Sequence, residues 1–528
     1  NQKIRLPDNF ALLETCSIKG KFTGFLTDFV AYGNVHTALG FISTDINLKT
    51  GQQRETYSGH VSTNQFDIGK FIGQSQLLGK ATVNCNIQGQ GFKFDNLVAS
   101  IKGDVLAINF NNYNYSNINV QGELARKKFK GALDIDDKNL DLQFAGSVDY
   151  TKAEPIFIGN AVIAQGYLSK LNLVDRDTSA VVSGNLNFNL SGDDIDNMYG
   201  ALNISELHYS EAGKHIYLDD LSFDAFDDKN KKHFLLTSNI VDADIVGISR
   251  LSTLARSIQN VVENYFPVAA TKRSVAVKPE IGNFKISIKD ANPTLAIFYP
   301  DLTIASGTTI EGSINAFNAQ IKMVAISPQV KHNLLGFENL MVSAESANQK
   351  LLMKLSSEKF IFDDSLHLKA LNTHLTSTRD SASLTLIMAT PDSTSINLNV
   401  TANAAFYTNN TSIQIDSSSK ILLRNNAWHI NPQNTIHLFE GVRFNNFFLS
   451  NNKNQQLNLE GLIGSPNFND KLKLTFQQFD ISLLNPILKT YDVALGGIVN
   501  GDILYSNTNN KLDIGSNLSI DTLSVFND

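Results

Sequence analysis

The residue types that do chemistry are present in this chain, but they are not grouped. The ten histidines are scattered. His367 and His374 lie on strand-like stretches with no further ligand at metal spacing. HExxH, CxxC, GxSxG and the phosphate-loop pattern are absent. Aspartates occur in adjacent pairs: Asp136–Asp137, Asp193–Asp194, Asp219–Asp220, Asp227–Asp228 and Asp363–Asp364. Each pair falls near an expected turn, where an Asp side chain accepts hydrogen bonds from local backbone. DIDDKN at 134–139 begins like a calcium loop. Its sixth position is Asn139, where glycine makes the sharp turn, and its twelfth is Ala145, where a bidentate Glu belongs. No metal, no cofactor and no enzymatic activity are expected. Cys16 and Cys85 are too few for a disulfide framework and are read as free thiols borne on strands.

What remains is pattern. In LDIDDKNLDLQFAGSV, residues 133–148, apolar and polar residues alternate on both sides of a DDKN turn. Leu133 and Ile135 share one face; Leu140, Leu142, Phe144 and Val148 share another. Period two is the signature of half-buried strands. The same alternation gives Leu106, Ile108 and Phe110 near 104, and Leu186, Phe188 and Leu190 with Asn185, Asn187 and Asn189 opposite. It gives Leu472, Leu474 and Phe476 with Lys471 and Lys473 opposite. Strands of roughly five to nine residues between Gly, Asn and Asp turns predict an antiparallel meander.

One stretch breaks the period. ISRLSTLARSIQNVVENYFP, from 248, places Ile248, Leu251, Leu254, Ala255, Ile258, Val261, Val262 and Tyr265 at three- and four-residue steps. That spacing predicts an amphipathic helix ended by Pro267. A linker, PVAATKRSVAVKPE, follows it. The chain is therefore divided into a β segment 1–247, a helix and linker 248–280, and a second β segment 281–528. The helix either packs on the sheet or plugs it. Three phrases also repeat, beginning at Phe66, Phe284 and Phe479. Each reads as a strand, a short helical or turn element, and a glycine-rich re-entry at Gly79, Gly307 or Gly496.

Composition bounds what the apolar face can do. Charged residues are only 18%, so Asn, Ser, Thr and Gln carry the polar face. A net charge of −7 argues against nucleic acid as a partner. No run of about 18 apolar residues marks a spanning helix, and no signal peptide opens the chain. Asn1 and the strand-like end SVFND suggest a segment of a longer protein. Four closures of such a sheet are open. A stack of sandwiches makes the face core, and a lipid-facing barrel wants longer strands and aromatic girdles. A β-solenoid wants short regular repeats. The fourth is an elongated, curled antiparallel sheet with a few short amphipathic helices, its concave face an apolar trough like a folded taco. At about 4.8 Å per strand, on the order of 40 strands span ~150–200 Å. Such a trough can shield acyl chains, each buried CH₂ being worth about 0.8 kcal/mol.

The phrases GNLNFNLSG, DKLKLTFQQFDISLLNPIL, LGGIVNGDI and GTTIEGSI resemble the TamB family of the AsmA-like superfamily. The helix ISRLSTLARSIQNVVENYF resembles that of its more divergent members. The resemblance implies a periplasmic protein of a diderm bacterium, anchored in the inner membrane by an N-terminal helix that is not in this segment. It implies a hydrophobic groove carrying phospholipid between inner and outer membranes. It also implies a role in outer-membrane protein assembly and secretion with a BamA/TamA-family barrel. The alternatives are a scaffold for barrel assembly and a large surface β-protein with a closed core. The expected groove lining is Leu106, Ile108, Phe110, Leu133, Ile135, Leu140, Leu142, Phe144, Leu186, Phe188, Leu190, Leu472, Leu474 and Phe476. The expected plug is Ile248, Leu251, Leu254, Ile258, Val261, Val262 and Tyr265.

Overall fold

Alternation of period two becomes pleated strand along most of the chain. The computed structural model describes all residues except 1–7, 26, 51–54, 92–95, 177–178, 267–277, 363–365, 392–395, 465–469, 486–492, 509–510 and 528. The fold is all-β: 71% is strand and 8% helical. The 34 strands among the described residues pair in antiparallel ladders. Three short α-helices interrupt them among the described residues: α1 (Ile68–Ile72), α2 (Leu254–Tyr265) and α3 (Asn292–Phe298). The chain divides into two compact units, Asn1–Ile240 and Val241–Asp528. Helix α2 therefore belongs to the second unit. Most of the linker after it, together with Pro267 and the pair Asp363–Asp364, lies outside the described residues.

Tight turns join successive strands. Asn111–Asn112, Arg126–Lys127, Lys229–Asn230 and Asn348–Gln349 have positive φ at both positions. That geometry matches the right-handed twist of the flanking strands. The strands themselves are longer than expected. Leu78–Gln90, Val98–Phe110 and Tyr113–Ala125 each run 13 residues, and Lys214–Asp228 runs 15. Asp219–Asp220 thus lies inside a strand, not at a turn.

The extra length comes from polar residues that interrupt the alternation without ending the strand. Asn117, Glu206, Asn446 and Gln478 have φ of 52°, 53°, 51° and 49° within strands. Each stands before the second apolar residue of an i, i+3 pair: Tyr115 and Ile118, Ile204 and Leu207, Phe444 and Phe447, Phe476 and Phe479. The ladder slips register at three of the four: beside Glu206, between Phe444 and Phe447, and between Phe476 and Phe479. A bulge of this kind adds a residue and bends the strand. It leaves both flanking apolar residues on one face. Tyr115 and Ile118 share one cluster, and the Phe444–Phe447 and Phe476–Phe479 rings stand 5.8 and 5.3 Å apart.

The three repeated phrases fold alike, with strand, short helix and returning strand in each. Their leading residues Phe66, Phe284 and Phe479 are 5%, 4% and 4% exposed. Asp67 and Asp480 accept hydrogen bonds from the backbone N–H of Lys70 and Ser482, both at 3.0 Å, opening α1 and the 3-10 turn Ile481–Leu484. Only Gly307 of the three re-entry glycines has positive φ, at 83°. Gly79 and Gly496 sit instead at register shifts.

Glycine has a second use in the first unit. Gly122, Gly131, Gly146 and Gly159 stand directly opposite one another on neighbouring strands. A Cβ on Gly131 would lie 2.3 Å from the Gln121 carbonyl oxygen and 2.5 Å from Gly122 Cα. The rings of Phe129 and Phe144 cover this glycine strip, within 2.7 and 3.1 Å of where side chains at Gly122 and Gly146 would start. Glycine lines of this kind let a sheet coil. Gly131→Ala must therefore move backbone, and it is expected to destabilise the first unit by about 1–3 kcal/mol. Urea unfolding of Gly131→Ala beside Ala132→Gly, at the neighbouring outward-facing position, measures this.

Candidate functional site: an unbroken apolar face

Directly opposed residues in an antiparallel ladder lie on the same face of the sheet. Following the register across the first unit therefore traces a face. One such line is Gly20, Gly33, Thr44, Val61, Cys85, Gly103, Val120, Leu133, Phe144, Ala161, Leu186, Ile204, Leu221 and Ser238. No charged residue interrupts it. The line one residue over reads Lys19, Asn34, Ser43, Ser62, Asn84, Asp104, Asn119, Asp134, Gln143, Val162, Asn185, Ser205 and Asp220. That line is polar except for Val162.

The second unit repeats the division. Ile245, Phe284, Gly312, Met323, Ala344, Met353, Leu375, Leu384, Ala402 and Ile415 form one line. Asp244, Lys285, Glu311, Val324, Ser343, Lys354, His374, Thr385 and Thr401 form its polar neighbour.

The expected lining residues can be placed on these lines. Ile135 opposes Leu142, and Leu133 opposes Phe144, so the two sets of the 133–148 hairpin share a single face rather than two. Leu186, Phe188 and Leu190 continue that face, and the Phe144 and Phe188 rings stack 6.4 Å apart. Ile108 packs with Ile135, Leu140 and Leu142 in one cluster. Leu106 does not join it. Val83 opposes Val105 and Thr82 opposes Ala107, which leaves Leu106 as the extra residue of a bulge, 52% exposed. Phe110, at the strand end, is 40% exposed. Leu472, Leu474 and Phe476 oppose Gly461, Leu459 and Leu457 on one side and Tyr505, Ile503 and Gly501 on the other. Lys471 and Lys473 face outward and are exposed, as the alternation requires.

Most of this face is half-buried. Leu133, Leu142, Phe144, Leu186, Phe188, Leu472, Leu474 and Phe476 are all partly accessible. A closed sandwich core would bury them. In the first unit a loop closes one end of the face. After the strand Ile156–Tyr167, the chain folds back and places Leu171, 0% exposed, against Tyr115, Ile118 and Ile135. Asn111 and Asn172 fasten it, each side-chain amide donating to the other's carbonyl, at 3.0 and 3.3 Å. The sequence gives no periodic sign of this residue.

Asp137 anchors the same end. It is 6% exposed and accepts from Tyr113 Oη and Ser116 Oγ, both at 2.6 Å, and from the N–H of Asn139 and Ser116 at 2.9 and 3.0 Å. Its oxygens are thus turned to donors of the chain, not to a cation. Burial pushes this carboxyl up, but the hydrogen bonds from Ser116, Tyr113 and Asn139 together hold it below its ordinary value. Burial, and then Asp137, push the Tyr113 phenol up to about 12.

In the second unit the closing element is α2. The helix begins at Leu254, after a 3-10 turn Leu251–Thr253, not at Ile248. Ile248 precedes it, fully buried, with its side chain over Gly282. Leu254, Val261 and Tyr265 are buried; Leu251, Ile258 and Val262 are half-buried; Ala255 is exposed.

Other chemistry is sparse. Among the described residues no three His, Cys, Asp or Glu side chains are placed to hold a metal. Cys16 is exposed just before the first strand, and Cys85 is buried, its thiol pushed up by burial. No described helix is long and apolar enough to cross a membrane. Among known proteins, no family profile, no curated protein and no solved structure matches this chain.

Because Asp137 is depressed in the folded state, its contribution is present at neutral pH and lost as pH falls through the folded value, below the ordinary ~3.9. Asp137→Asn is expected to cost about 1–3 kcal/mol at pH 7. Wild type and variant should converge in acid. Thermal melts of both chains from pH 7 down to the acid limb measure the gap.

Proposed function

We propose that this chain is a lipid-carrying segment of a TamB-like protein of the AsmA-like superfamily. In this reading the apolar face holds phospholipid acyl chains while the polar face meets water. The protein works in the periplasm of a diderm bacterium, moving phospholipid between inner and outer membranes and supporting outer-membrane biogenesis. It is anchored in the inner membrane and partnered by a BamA/TamA-family barrel, and it carries out no catalysis.

The observation that supports this best is the uncharged apolar line running across the first unit from Gly20 to Ser238. A face that serves only as core needs apolar residues where a second layer covers it. Here the apolar residues continue where the face is half open. Acyl chains need no directional partner, so a surface of Phe, Leu, Ile, Val and Gly suffices to hold them. From Val61 to Leu221 the line carries no nitrogen- or oxygen-bearing side chain, so no polar group there fixes a lipid at one position, and it is free to slide.

A scaffold for barrel assembly is the second reading. An open sheet edge can template an incoming strand.

A photo-crosslinking residue placed at Leu142 and, separately, at Gln143 separates these readings in cells. The lipid-carrying reading expects phospholipid, identified by mass spectrometry, at 142 and not at 143. Crosslinks from 142 only to the chain itself would mean a closed core. Crosslinks to nascent barrel proteins would favour the scaffold.

A further inference from the structure

Among the places where the apolar face of the second unit is covered, one is covered by the chain's own helix. Helix α2 packs against the strands Gln320–His332 and Lys350–Phe362. Its last residue ties it down: Tyr265 Oη donates to the Ala319 carbonyl at 2.8 Å, and Ser377 Oγ donates to the Tyr265 carbonyl. Phe266 then meets Phe406 edge to face, with ring centroids 5.5 Å apart.

The effect on exposure is sharp and local. At the covered end of those strands Ile321 and Leu351 are 3% and 0% exposed, and Ser377, opposite Leu351 on the strand Leu366–Ser377, is 0% exposed. Further along the same face, Met323, Met353 and Leu355 are only half-buried. The strip beneath α2 is thus the same face, with an occupant.

That occupant is imperfectly fitted. Ser257 is 1% exposed and sits in the buried line of the helix, yet its hydroxyl has no hydrogen-bond partner. The Asn260 Oδ1 is likewise buried and unpaired. Thr253, at the helix start, makes no side-chain cap bond. An unpaired buried polar atom is a standing cost of the closed state, and it is relieved when the helix lifts into water or a headgroup layer. Beyond its buried line the helix is polar, with Arg256, Gln259 and Glu263 linked side chain to side chain. An amphipathic helix of this kind rests as readily on a lipid surface as on a sheet.

We propose that the strip beneath α2 is an acyl-chain binding site of the second unit, and that α2 is its resident lid. Helix and acyl chain are alternative occupants of one face, and entry of lipid requires the helix to leave. This rests on the lipid-carrying reading above.

The test uses the full chain with phosphatidylethanolamine–phosphatidylglycerol vesicles. One photo-crosslinking residue replaces Phe406, against Phe266 at the end of the lid, and another replaces Leu142, in the first unit. Val261→Asp places a carboxylate in the buried line of α2 and lifts the lid. Ser257→Ala removes the unpaired hydroxyl, improves helix propensity and holds the lid down. Expected is a roughly tenfold rise of lipid crosslinking at 406 in Val261→Asp. A fall is expected in Ser257→Ala, with position 142 unchanged in both. A merely structural helix would not give opposite responses. Lipid at 142 in every variant, with 406 indifferent to both substitutions, overturns the lid and leaves the lipid-carrying face standing. No lipid at either position overturns both.

Discussion

An antiparallel ladder leaves a residue no choice of side once its partner's side is fixed. The constraint passes from strand to strand, so a sheet built as a meander inherits one division of faces from its first hairpin. In this protein the division holds from Gly20 to Ser238 in the first unit and from Ile245 to Ile415 in the second. A slip of one residue anywhere would turn every later strand inside out. Bulges are the points of danger, because each adds a residue to one strand. The chain meets this by flanking its bulges with apolar residues at i and i+3, as at Phe444 and Phe447 or Phe476 and Phe479. The phase of the alternation changes, but the face does not.

The same constraint explains the composition. The outward line of the first unit carries mostly Asn, Ser and Gln, and its cohesion comes from neutral or singly charged cross-strand bonds such as Asn119 Nδ2 to Asp104 Oδ1 at 2.8 Å. Cross-strand ion pairs occur, as Lys473 with Asp502 at 3.2 Å, but they are exposed and contribute little. Cohesion on the inner side comes from partial mutual burial of neighbours rather than from a second layer. Closure needs a separate piece of chain, and it is supplied by Leu171 in one unit and by α2 in the other.

Much of this was legible in the sequence, and the exceptions share a cause. Within each strand the alternation of Leu133 to Ile135, Leu140 to Phe144, Leu186 to Leu190 and Leu472 to Phe476 is uninterrupted, and each set keeps to one face of the sheet. Leu106 leaves the alternation at a bulge, which is set by the pairing of its neighbours Val105 and Ala107 with Val83 and Thr82 on another strand. Strand lengths read short because Asn446 and Gln478 are polar residues that act as bulges and do not end their strands. The glycine strip from Gly122 to Gly159 exists only once the register is known. Leu171 lies in a loop with no period to read. The one local sign that was available and unused is the apolar pair at i, i+3 around a polar residue able to take positive φ.

The choice among aromatic residues follows from where hydrogen-bond partners exist. The chain has 33 Phe and one Trp. Tyrosines on the inner side that stand near strand ends find acceptors there: Tyr113 reaches Asp137 and Tyr265 reaches the Ala319 carbonyl. In the middle of the face the backbone is paired into ladders, and a phenol there would compete with them for acceptors. Phe144, Phe188 and Phe284 hold those places, with the same area and no donor to satisfy. Trp428 shows the cost of the alternative: it is 2% exposed, and its indole N–H has no partner. Phenylalanine is the largest side chain with no polar atom, so it fills such a place without that cost.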